Sequence, residues 1–260
     1  MSDPRDAASQ LFHARRPGTA LEALSADALP TSKDEAYAAQ HELVSLLSQK
    51  AGPPVGYKVG CTNATAREML ALDSPFSGRC LEREISASPA SVFAGDLHMV
   101  GIEPEIAIRM GKDLPPSGHW TSDTIMDAVE SVMPAIEIVE SRFSTWPLMG
   151  FLSAIADNGV HRHLVLGEPI SNWNRQQVDA ARVTLRANGR IVRQGQASNV
   201  DGGPFGVVAW LANHLNTMNI TLRAGEIVST GVMTDIYDSA AGEHLVAEYD
   251  FPASVEVSVS

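Results

Sequence analysis

Apolar and polar residues along this chain repeat with two different periods. Residues 33–49, "KDEAYAAQHELVSLLSQ", follow the helical period, with Tyr37, Val44 and Leu47 sharing one face. Ser32 and Glu35 have the spacing of a capping box at its start, and "AGPPVG" at 51–56 stops it. Residues 1–52 therefore read as an N-terminal helical arm and 53–260 as the main body. Within that body short β-rich segments dominate: "GYKVG", "MVGIEPEIAIRM", "PAIEIVESRF", "HRHLVLG", "RVTLRANGRIVRQG", "EIVSTGV" and "ASVEVSV". Two amphipathic helices interrupt them. One is predicted over 122–133, with Ile125, Ala128, Val129 and Val132 as its apolar face; the other spans 204–218, with Val208, Leu211, Ala212 and Leu215. Asn188-Gly189 between alternating runs predicts a tight hairpin. Strands without regular βα alternation predict an α+β fold with a mixed or antiparallel sheet.

In "GIEPEIAIRM" the alternation sets Glu103 and Glu105 on one strand face and the isoleucines on the other. Two like charges that close raise each other's pKa unless a cation sits between them. A third acid, Glu137 in "PAIEIVES", shares its face with Ala135 and Val139, where an unpaired charge is expensive. A divalent cation would satisfy all three, and three carboxylates suit a hard ion such as Mg²⁺ or Mn²⁺. Half-exposed acids facing solvent or basic partners are the alternative.

Charge narrows the partner. With 31 acidic and 19 basic residues the formal charge is −12, which opposes nucleic acid or an anionic membrane and favours a small molecule or another subunit. Cys61 and Cys80 can build neither a disulfide framework nor a structural zinc cluster, and read as small buried side chains. "MSDPRDAASQLF" lacks a signal-peptide pattern and no apolar run approaches a membrane span, so a soluble, cytoplasmic protein is expected.

Taken together, "GYKVG", "LALDSPFSGR", "GIEPEIAI", "AIEIVESRF", "ADNG", "VLGEP", "AWLANHL" and "RAGEIVSTG" form an ordered set. In order and spacing they resemble the 2-keto-4-pentenoate hydratase and 4-oxalocrotonate decarboxylase family, within the fumarylacetoacetate hydrolase superfamily, over about residues 30–258. The resemblance implies a β-roll of mixed sheets with peripheral helices, Mg²⁺ or Mn²⁺ on Glu103, Glu105 and Glu137, a small 2-oxo acid as substrate, and a homo-oligomer. It makes Lys58, an ordinary surface lysine if read alone, the residue that contacts the substrate's oxygens. Asp157 and Asn158, locally a turn or cap, fall beside the implied active site.

Other residues are read from their setting. Ser229, Thr230 and Gly231 can end a strand with donors aimed at a carboxylate, and Arg142 is expected to pair with an acid. His161, His163 and Glu168 imitate the ligand spacing of a cupin metal site, a rival that lacks the glycines around such a motif. One departure matters for chemistry. Where the family pattern carries a proton-moving acid after the proline, Asp73-Ser74-Pro75 is followed here by Phe76. Asp73 and His161 then stand as candidate proton donors, and Phe76 makes that pocket wall apolar. The expected activity is hydration of a 2-hydroxydienoic or 2-oxo-enoic acid, of the kind met in aromatic-ring degradation. Decarboxylation of an oxalocrotonate-like diacid, C–C hydrolysis of an acylpyruvate, and ligand binding without turnover are the alternatives.

Overall fold

The computed structural model describes residues 3–251 and 253–260. Two helices come first, α1 (Pro4–His13) and α2 (Lys33–Ala51), with turns rather than helix between them. Ser32 caps α2 by accepting from the Glu35 N–H, while the Glu35 carboxylate reaches back to Thr31. Its buried face includes Ala39, Leu43, Val44 and Leu47, packed on Ala7, Ala8 and Leu11 of α1.

Strands β1 (Pro54–Gly60), β2 (Phe76–Leu81), β3 (Ile85–Ala87), β4 (Ala90–Val92), β5 (Gly101–Met110), β6 (Val129–Val139), β7 (His161–Leu166), β8 (Arg182–Ala187), β9 (Arg190–Gln196), β10 (Ile227–Ser229), β11 (Tyr237–Asp238), β12 (Glu243–Tyr249) and β13 (Ser254–Val259) form two sheets. Among the described residues the first has eight strands, in the order β2-β1-β10-β5-β6-β7-β3 with β11 on β5. The second has five, β4-β13-β12-β8-β9. Both mix parallel and antiparallel pairs, because β1 runs parallel to β10, β3 to β7, and β4 to β13. Short helices α3 (Ala64–Met69), α4 (Phe151–Ala156) and α5 (Arg175–Asp179) and the longer α6 (Gly203–Thr217) lie between strands. The α+β reading with mixed sheets and peripheral helices holds. Among the described residues no helix is long and apolar enough to cross a membrane.

The main core joins the sheets. Ile102, Ile106 and Ile108 of β5 meet Leu245, Val255 and Val257 of the second sheet and Val208, Leu211 and Leu215 of α6 in one cluster. The opposite face of β5 and β6 carries Ala107, Met133 and Ala135, and strand alternation puts Glu103, Glu105 and Glu137 on that same face.

One predicted helix is a strand. Residues 122–133 contain only a 3₁₀ turn, Met126–Ala128, before β6 begins at Val129. Val132 and Met133 pair with Ile108 and Ala107 of β5, so cross-strand burial of these residues overrides a period that a lone segment cannot test. The same strand stops at Val139, short of the predicted Phe143. The predicted helix at 204–218 and the Asn188-Gly189 hairpin appear as expected, the latter with both residues at positive φ.

Candidate active site

Strand register brings the three acids together. Glu103 of β5 lies directly opposite Glu137 of β6, and Glu105, two residues on, points from the same face. One carboxylate oxygen from each lies within 4.8 Å of the others. Glu105 and Glu137 are fully buried, and Glu103 is half-buried at the rim.

Each buried acid is held by one oxygen. Glu105 Oε2 accepts from Ser229 Oγ at 2.5 Å and from the Gly231 N–H at 2.8 Å. Glu137 Oε1 is 2.7 Å from His161 Nδ1. The remaining oxygens, Glu105 Oε1 and Glu137 Oε2, are buried without a hydrogen-bond partner. Lys58, buried on β1 between β10 and β2, brings Nζ to 3.3 Å from Glu137 Oε2. An unpartnered Glu105 oxygen, a Glu137 oxygen met only by the Lys58 ammonium, and a third acid, all hard donors, fit a hard divalent ion and give a soft one nothing to select.

The charges tune one another. Burial, and then the Glu137 charge, push the Glu103 carboxyl up to about 7 against the pull of Lys58. Burial raises Glu105 well above the usual carboxylate range, with Glu137 and Glu103 adding to it. Glu137 is buried as deeply, yet Lys58 and His161 hold it below that range. Burial opposes charge on Lys58 as well, but Glu137, Glu103 and Glu105 raise its pKa and keep it an ammonium. For His161, burial is outweighed by Cys80 and Glu137, which hold the ring up at about 10.

A cavity of about 60 Å³ opens beside Lys58 and Glu103. Cys61 also lines it, its thiol pushed up to about 11 by burial, and the other lining residues are apolar: Phe76, Val139, Trp146, Val160, Val232 and their neighbours. The Phe76 ring stands 5.7 Å from Lys58 Nζ. Gly60 is required here, since a Cβ would lie 2.7 Å from that ring.

Not every residue singled out in the sequence reaches this cavity. Asp73 is exposed and hydrogen-bonds Lys33 Nζ at 2.6 Å, in a separate cleft with Pro75, Asp201 and Trp210. Asp157 is buried but accepts from the Arg142 N–H at 3.0 Å, and Asn158 exchanges two hydrogen bonds with the Arg79 backbone. Both anchor the turn from α4 to β7. Thr230 Oγ1 donates to the Ile106 carbonyl, and Ser229 is taken up by Glu105. Arg142 pairs with Asp157 and Glu140, as expected of a residue that needed an acid. The histidines diverge, His161 toward Glu137 and His163 toward Ser86 Oγ at 2.9 Å, so no cupin-like cluster forms among the described residues. Cys61, Trp146 and Val160 were not foreseen. Cys61 and Val160 have φ near +55°, a backbone state no side-chain pattern announces.

The fold, with a cluster of three carboxylates that could hold a divalent ion, defines a protein of the fumarylacetoacetate hydrolase type. The family model for the fumarylacetoacetate (FAA) hydrolase C-terminal region matches residues 68–257. A 2-hydroxyhexa-2,4-dienoate hydratase of Comamonas testosteroni is 30% identical over 237 residues, 90% of this chain and 89% of that protein. A 2-keto-4-pentenoate hydratase of Paraburkholderia xenovorans is 28% identical over 88% of this chain and 84% of its own length. In structure, the 4-oxalocrotonate decarboxylase of Pseudomonas putida G7, complexed with magnesium and adipate, superposes with a TM-score of 0.90 at 22% identity, covering 99% of this chain and 97% of that one. The chain belongs to the 2-keto-4-pentenoate hydratase/4-oxalocrotonate decarboxylase family of the FAA hydrolase superfamily.

Proposed function

We propose that this chain is a divalent-metal-dependent hydratase of a short 2-hydroxydienoic acid with a hydrocarbon tail. The observation that carries the reading is the cluster of three carboxylates and one buried ammonium, of which Glu103 and Lys58 reach a cavity whose other walls, Cys61 apart, are apolar. Glu103, Glu105 and Glu137 would hold Mg²⁺ or Mn²⁺, a reading supported by their convergence, by the unpartnered Glu105 oxygen and by the magnesium in the similar decarboxylase. When bound, the ion would supply Lewis-acid polarisation of a 2-oxo group. Lys58 donates from a fixed ammonium to the substrate's carboxylate or 2-oxygen, and stabilises negative charge that grows there. Phe76, Val139 and Val160 exclude water around the tail. They offer no cation to a second carboxylate, which would lose its hydration without gaining a partner. Net hydration adds one water across a carbon–carbon double bond, hydrogen to one carbon and hydroxyl to the other, with no redox change.

The test is product identification with Mg²⁺- or Mn²⁺-supplemented protein on 2-hydroxypenta-2,4-dienoate, its hexa homologue and an oxalocrotonate-like diacid. The expected outcome is water addition to the monoacids with poor turnover of the diacid. Release of CO₂ from the diacid would make the chain a decarboxylase, and two acids from an acylpyruvate would make it a C–C hydrolase. Oxalate binding without any turnover would leave a ligand-binding protein. Glu105→Gln should reduce metal affinity and activity together, while Phe76→Asp should narrow the preference for monoacids.

A further inference from the structure

His161 lies behind Glu137 rather than in the cavity. It is fully buried, it is absent from the cavity lining, and its Nδ1 is 2.7 Å from Glu137 Oε1. Its Nε2 has no hydrogen-bond partner among the described residues, and the Cys80 thiol is the polar group beside the ring. A group so placed touches the Glu137 carboxylate and does not line the cavity. It can decide which way the Glu137 carboxylate is turned.

The backbone of His161 is itself braced. The His161 carbonyl accepts from Arg142 Nη2 at 2.8 Å, and Arg142 is a fully buried guanidinium whose Nη1 donates to the Glu140 carbonyl. Arg142 Nε stands 3.5 Å from Asp157 Oδ1, while Asp157 Oδ2 accepts from the Arg142 N–H. Asn158, Gly159 and Val160, all at positive φ, turn the chain sharply between Asp157 and His161. A run of short contacts therefore leads from the end of α4 through Asp157, Arg142 and His161 to Glu137, and on to Lys58.

We propose that His161 is a positioning residue for Glu137: by occupying Oε1 it leaves Oε2, beside Lys58, as the oxygen available to a divalent ion. The proposal rests on the metal reading given above. Groups that orient a ligand in this way are typically worth about 10–100-fold in metal affinity.

The test compares three variants of the full chain by Mn²⁺ titration followed by electron paramagnetic resonance, with no substrate present. Asn places its amide nitrogen close to the position of Nδ1 and can still donate to Oε1; Gln, nearer in size to His, places its donor further out; Ala has none. His161→Asn should bind Mn²⁺ within about threefold of wild type, whereas His161→Gln and His161→Ala should bind about 10–100-fold more weakly. At saturating Mn²⁺ the weakened variants should recover most of their kcat, which loss of a proton donor would not permit. Wild-type-like affinity in both Gln and Ala variants would overturn the positioning role, as would equal losses in Asn and Gln. Failure of the wild-type protein to bind Mn²⁺ would instead overturn the metal reading and take this proposal with it. The Asn and Gln pair keeps the comparison decisive if the Ala variant does not fold.

Discussion

Lys58 shows how much of a residue's role is decided by other strands. Read within "GYKVG" it is an ordinary lysine, and lysines are almost never fully buried unless paired. Its pairing comes from Glu137, Glu103 and Glu105, residues at least 45 positions away that no local pattern ties to it. The two-residue spacing of Glu103 and Glu105 was legible because strand alternation alone puts them on one face. That Glu137 stands opposite Glu103 was not, since register follows from the pairing of β5 with β6. Lys58→Met keeps the stem and removes the charge. With Mn²⁺ present, turnover or oxalate affinity should fall by about 10², the scale of a lost electrostatic donor. A folded variant with wild-type kinetics would show that the ammonium faces the glutamates only.

Among elements, β2 depends for its position on a missing side chain. Gly78 pairs with Lys58 across β1 and β2, and a Cβ there would run into the Asn158 carbonyl. That carbonyl is backbone in a turn already held at positive φ, so it cannot give way as a flexible side chain would. Gly78→Ala should therefore destabilise by roughly 1–3 kcal/mol, read as a lower urea midpoint at unchanged slope. An unchanged midpoint would mean that β2 and the turn can part without cost. Here too the sequence was partly readable. The "DN" of "ADNG" reads as a turn, and it is one, but the grip of Asn158 on the Arg79 backbone is a contact across 79 residues. The 122–133 segment failed for a related reason: Ile125, Ala128, Val129 and Val132 satisfy a helical period, and only pairing with β5 assigns the second half to a strand. Strand β12 went unpredicted, although it occupies the middle of the second sheet.

At the scale of the whole molecule, the carboxylate site makes stability depend on metal and pH together. In the metal-free chain burial pushes the Glu103 carboxyl up to about 7, and Glu105 is raised well above the ordinary value of 4.5. At Glu103 the folded state then holds more protons than the unfolded state between about pH 4.5 and pH 7, so that group's contribution to stability is complete below 4.5 and is lost as pH rises through 7, and Glu105 acts in the same direction. A divalent ion must displace those protons, and binding it to the folded state alone returns the lost stability. His163 works in the opposite sense. Burial lowers it to about 4 from 6.5, which makes the fold gain stability as pH rises across that interval. Because His163 contributes in both metal-free and metal-loaded protein, it cancels in the difference between them. Thermal scans with and without Mn²⁺ at about 100 times its Kd should therefore give a Tm increase of roughly 5–10 °C at pH 7.5, from about 2.7 kcal/mol of binding free energy. At the same Mn²⁺ concentration the increase should shrink steadily toward pH 5, as protons compete for Glu103 and Glu105. Glu105→Gln should flatten it at every pH, whereas an increase equally large at pH 5 and pH 7.5 would mean that the ion binds somewhere other than these buried acids.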